Sequence, residues 1–76
     1  MSKNVKIGFV VNTEDDTYEI SVDGTIAAII TIEVNDYINI ATTIKDNVLA
    51  IKAAALAWEE FERRDEFTDF TIEVNW

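Results

Sequence analysis

Three stretches of this chain alternate apolar and polar residues with a period of two, and that alternation limits the fold more than any other feature. Val5, Ile7, Phe9 and Val11 form one such set. Tyr18, Ile20 and Val22 stand against Thr17, Glu19 and Ser21, and Phe70, Ile72, Val74 and Trp76 stand against Thr71, Glu73 and Asn75. Alternation of this kind marks strands with one face in a core. A fourth apolar set, Ile26, Ala28, Ile30, Ile32 and Val34, reads as a further strand after an Asp23-Gly24 turn. Register at that turn matters, because a one-residue slip sends every side chain to the opposite face. A three-residue loop, Val22-Asp23-Gly24 with Gly24 in a bulge, pairs Ile20 with Ile26 and Tyr18 with Ala28. It is preferred here to a two-residue loop, which would set the apolar residues against Ser21, Glu19 and Thr17.

Beyond Asn35-Asp36 the pattern breaks, and Tyr37-Ile38-Asn39-Ile40 reads either as a short fourth strand or as the approach to a helix. Thr43 is expected to cap a helix of about five turns with Asp46 at its third position. The helix reaches the neighbourhood of Arg64, with Ile44, Val48, Ile51, Ala55 and Trp58 as the stripe expected to face the core. A second apolar stripe, Leu49, Ala53, Leu56 and Ala57, lies on another side of it. That stripe is either enclosed by the sheet and loops or meets a second copy, so Leu49, Ala53 and Leu56 are the candidate homodimer contacts. The expected fold is α+β: an antiparallel sheet of three or four strands plus a C-terminal strand, with one long helix on one face (β-β-β-(β)-α-β). At 76 residues, the chain is expected to form a single domain spanning 1–76.

With apolar residues at 49% of the chain and no cysteine, packing alone must hold that domain together, without a disulfide or thiolate metal site. The longest uninterrupted apolar run, Ile26 to Ile30, is far shorter than the roughly 20 residues a membrane-spanning helix requires. No signal-like segment opens the sequence. A soluble, cytoplasmic protein is expected.

The formal net charge is −9, and no lysine or arginine occurs between Lys6 and Lys45. That interval holds Glu14, Asp15, Asp16, Glu19, Asp23, Glu33 and Asp36. Such a field repels nucleic acid and anionic membranes and attracts cationic partners. The expected partner is therefore a larger protein or complex with a basic surface, rather than nucleic acid itself or a membrane.

The chain has neither histidine nor cysteine, which removes imidazole bases, thiol nucleophiles, serine triads and imidazole metal sites. A carboxylate pair acting as acid and base would need a substrate cleft, which one helix on one sheet rarely makes. No catalytic residue, cofactor or metal is expected. Glu14-Asp15-Asp16 lacks the alternating ligands and central glycine of a calcium-binding loop and reads as a solvated turn. Trp58, Phe61, Phe67 and Trp76 read as core aromatics, since a nucleic-acid stacking platform would sit among lysines and arginines rather than among Glu59, Glu60, Glu62 and Asp69. The candidate partner-binding residues are Glu14, Asp15, Asp16, Glu19, Glu33 and Glu73, placed in the loop and on the open sheet face.

In size, acidity and element order, the opening hairpin Val5 to Val22, the alanine-rich helix Thr43 to Arg64 and the closing strand Phe70 to Val74 resemble small phage-encoded inhibitor proteins, among them anti-CRISPR proteins. These proteins share no motif, so the resemblance carries no residue role onto this chain. It implies a class of action, in which a compact, non-catalytic body occludes a nucleic-acid or partner site on a larger machine. The alternatives are a self-associating structural module, dimeric through the helix, or an engineered scaffold. The long Asn12–Asp16 loop, the lopsided charge and the aggregation-prone run Ile26 to Ile32 weigh against the last.

Overall fold

A computed structural model describes residues 3–35 and 37–76. It contains β1 (Asn4–Asn12), β2 (Thr17–Val22), β3 (Thr25–Ile32), β4 (Ile38–Thr42), α1 (Asn47–Arg64) and β5 (Phe70–Asn75). The strands form one five-stranded antiparallel sheet in the order β4-β3-β2-β1-β5. The fold is α+β. The segment around Tyr37–Ile40 resolves as strand β4, while Asp36 lies outside the described residues.

The alternation read from β1, β2 and β5 is realised. Val5, Ile7, Phe9, Tyr18, Ile20 and Phe70 are buried, and Phe9, Ile7, Ile20 and Ile30 are the largest fully enclosed side chains. Each contributes roughly 1.5–3 kcal/mol by leaving water. Phe9 stacks on Tyr18, Phe61 and Phe70 with ring centroids 5.4, 4.8 and 4.8 Å away. Trp58 meets Tyr18 edge-on, and Phe61 packs against both. Trp58 and Phe61 thus belong to the core, whereas Phe67 is 74% exposed.

The expected β2–β3 register is corrected. Val22 pairs with Thr25 across a two-residue Asp23-Gly24 loop, Ile20 with Ala28 and Tyr18 with Ile30. Asp23 (φ 50°) and Gly24 (φ 88°) both occupy the left-handed region. Two such central residues give the turn whose twist suits a tight hairpin. The extra residue sits further along, at Ala27, between the Ser21–Ile26 and Ile20–Ala28 pairs. This bulge resets the phase of β3: Ala27, Ala28 and Ile30 are buried, and Ile26 is half exposed. Ile26 and Ile32, expected in one apolar set with Ala28 and Ile30, are likewise partly exposed, and Val34 is almost wholly exposed.

The helix begins later than expected. Asp46 is its N-cap, its carboxylate accepting from the Leu49 N–H, and the expected cap Thr43 is instead tied to β3. The Thr43 backbone N–H donates to the Ala27 carbonyl and its hydroxyl to the Ile26 carbonyl, which serves the backbone groups around the bulge. The face turned to the sheet is also not the one expected. Ala50, Ala53, Ala54 and Ala57 are fully buried, with Leu56 packed beside them, while Val48, Ile51 and Ala55 are exposed. The reason is volume. The sheet already supplies Ile7, Phe9, Ile20 and Ile30 to the interface, so the helix approaches it with its smallest side chains. The Leu49, Ala53 and Leu56 surface proposed for a homodimer is therefore spent largely inside the monomer.

Candidate functional site

The β1–β2 connection is a four-residue loop, Thr13–Asp16, closed by the Asn12–Thr17 pair. Asn12 organises it: its side-chain oxygen accepts from the Glu14 and Asp15 backbone N–H groups, and its amide donates to the Asp15 carboxylate at 3.3 Å. Asp16 takes φ 54°, a conformation that aspartate tolerates better than most residues. The three loop carboxylates are consequently exposed on a shaped turn.

The other candidates divide. Glu33 follows β3 at the same end of the sheet, one residue beyond Ile32. Glu19 stands at the middle of the open face between Val10 and Ile29. Glu73 lies toward the opposite end, across from Lys6 in the β1–β5 pair. The open face around Glu19 is otherwise neutral, with Asn12, Thr17, Ser21, Thr31 and Thr71 in its register. The six residues therefore do not form one flank.

The chain's return path adds carboxylates that the sequence reading did not single out. Helix α1 starts beside Ile26 and Ala27 and runs back toward the β1–β2 loop. Asp65, left-handed at φ 54°, ends it by donating its backbone N–H to the Phe61 carbonyl. The following segment is anchored when the Asp69 carboxylate accepts from the Val11 backbone N–H at 2.8 Å. Asp65, Glu66 and Asp69 thereby join Glu14, Asp15, Asp16 and Glu33 at one pole. A signal for this was present: 18 helical residues at about 1.5 Å each nearly match the nine residues of β1 at about 3.3 Å each.

The lysines gather at the other pole. Lys3 exchanges backbone hydrogen bonds with Trp76, and Lys52 lies 4.5 Å over the Trp76 ring. Lys6 shares hydrogen bonds with Asp23, and Lys45 precedes the helix start. The two arginines are engaged locally: among the described residues the ion pairs are those of Glu60 with Arg63 and with Arg64. Their hydrogen bonds hold the Glu60 carboxyl below its ordinary range, Arg63 contributing most. None of the seven carboxylates at the acidic pole has an ion-pair partner among the described residues. The negative end of the helix dipole points the same way.

A hollow of about 420 Å³ opens at that pole, lined by Val11, Asn12, Thr13, Asp16, Thr17, Tyr18, Ile32 and Phe67. Its apolar walls and its carboxylate at Asp16 suit a long side chain with an aliphatic stem and a cationic head. Among the described residues no group of three or more acidic side chains is arranged to hold a metal ion, and no helix is long and apolar enough to cross a membrane. Compared with known proteins, the chain matches no family model, no curated protein and no solved structure at a significant level.

Proposed function

We propose that this domain is a non-catalytic inhibitor that docks its acidic pole on the basic surface of a nucleic-acid-handling protein or complex and so keeps nucleic acid away. The observation that supports this most is the segregation of charge, with Glu14, Asp15, Asp16, Glu33, Asp65, Glu66 and Asp69 at the end remote from all four lysines. The two poles lie at opposite ends of β1, whose nine residues at about 3.3 Å each span roughly 30 Å, several times the Debye length of about 8 Å at physiological salt. An approaching partner therefore meets the acidic pole with little interference from the lysine pole.

Electrostatic attraction of this kind raises association rates and suppresses unsuitable partners. The hollow beside Asp16 adds a place for an arginine or lysine to be gripped by both its stem and its charge. Glu19 extends the contact onto the open face, while Glu73, beside Lys6, contributes least. The action is the one implied by the resemblance to phage-encoded inhibitors, and it would operate in the cytoplasm, where such machines work.

The test is affinity capture from bacterial lysate by the wild-type domain and by a variant carrying Glu14→Lys, Asp15→Lys and Asp16→Lys. The expected captured proteins are basic and lose bound DNA or RNA when the wild-type domain is added, and the variant fails to capture them. Unchanged capture by the variant would refute the role of the pole.

A further inference from the structure

Five strands spaced about 4.8 Å apart are roughly 19 Å across, whereas a helix with its side chains is about 10–12 Å wide. One helix cannot cover this sheet, and a shortfall remains beside β4. There a groove of about 430 Å³ runs between α1 and the edge strand, lined by Ile30, Ile38, Ile40, Ala54, Ala55 and Trp58. Ile38 is 46% exposed in it. The indole N–H of Trp58 is buried and has no acceptor among the described residues. Strand β4 itself pairs with β3 on one side, so its outer backbone groups are free of any strand partner among the described residues.

The rim of this groove is acidic, formed by Glu59 and Glu62. The nearby arginines pair with Glu60 rather than with the rim; Arg63 lies against the β5 side with Ile72 and Val74, within electrostatic reach of Glu59, and Arg64 lies over Phe70. A second copy of this chain would bring a second net charge of −9 against that rim, which disfavours self-pairing. The complementary occupant is an extended segment in which apolar residues alternate with lysine or arginine.

We infer that the groove between α1 and β4 receives such a segment of the cationic partner, which adds as a sixth strand to β4. Main-chain hydrogen bonds along β4 would supply affinity, with side chains on one face filling the groove and cations meeting Glu59 and Glu62. This inference rests on the proposed cationic partner, but it concerns a surface separate from the acidic loop. Reversing charge at Glu14, Asp15 and Asp16 tests the loop and leaves the groove intact.

The probe is an end-blocked eight-residue peptide alternating lysine with valine, and its control alternates lysine with serine at equal charge. Binding is read by tryptophan fluorescence and by amide hydrogen exchange. The valine peptide is expected to bind at least about tenfold more tightly than the control, because each 1.4 kcal/mol of added apolar burial is a factor of ten. It should slow exchange at alternate amides of Ile38–Thr42. Ala55→Arg, at an exposed helical position where arginine is a good helix former, should weaken it at least about tenfold with an unchanged circular dichroism spectrum, and Ile38→Thr should weaken it without filling the groove. Equal binding of the two peptides, or protection that avoids β4, would overturn the proposal. A wild-type dimer with β4 amides already protected would overturn it in favour of a second copy.

Discussion

Asp46 does for α1 what Thr43 was expected to do, and the exchange has measurable consequences. A carboxylate N-cap is typically worth about 1 kcal/mol, so Asp46→Ala should lower unfolding free energy by about that much in denaturant titrations. Asp16 poses a different kind of test. Its backbone is left-handed and it sits among like charges, so Asp16→Gly should leave stability within about 1 kcal/mol of wild type, or raise it, because glycine accepts that conformation readily. The same substitution should weaken capture of the cationic partner, separating binding from folding. Glu60 gives a pH signature. Its carboxyl is held below its usual range by Arg63 and Arg64, so its stabilising effect is complete above the unfolded-state value and disappears as pH falls through the depressed one. Glu60→Gln should therefore lower stability at neutral pH, and the difference from wild type should shrink in strongly acidic solution.

Among the elements, the helix shows how far the sequence could be read. Its existence and its end at Arg64 follow from alanine-rich composition and charged helix formers, and the strands follow from period-two alternation. The inward face of the helix cannot be read the same way, because helical spacing alone favours turning the large residues into the core. The sheet decided otherwise. With Phe9 and three isoleucines filling the interface, the helix needed alanines there, and Val48 and Ile51 were left outside. Enlarging the buried face should hurt and polarising the exposed one should not. Ala57→Leu is expected to destabilise by about 1–3 kcal/mol through overpacking, while Val48→Ser, at a residue 78% exposed, should change stability by less than about 0.5 kcal/mol. Thermal melts of the two variants compare them directly. The bulge at Ala27 was similarly illegible in place, though not in kind: an extra residue was needed to reconcile β2 with β3, but local sequence did not say whether the turn or the strand would absorb it.

Across the whole molecule, the candidate site was half visible in the sequence. Glu14, Asp15 and Asp16 stood out as a cluster, but Asp65, Glu66 and Asp69 join them through the return of α1 and the Asp69–Val11 hydrogen bond, long-range facts that no local pattern displays. Glu73 shares the open face of the sheet with Glu19, but strand pairing sets it beside Lys6, away from the acidic pole. What emerges is a molecule with its lysines at one end and, at the other, an acidic cluster without ion-pair partners among the described residues, and that asymmetry is the basis of the proposed inhibition. The most direct test is a competition titration, in which fluorescence anisotropy follows labelled nucleic acid on the captured partner as the domain is added at low and high salt. Displacement by the wild type that weakens steeply with salt, and is lost in the Glu14→Lys, Asp15→Lys, Asp16→Lys variant, is the predicted result. A partner that holds nucleic acid and the domain together, or is displaced equally well by the variant, would contradict the account.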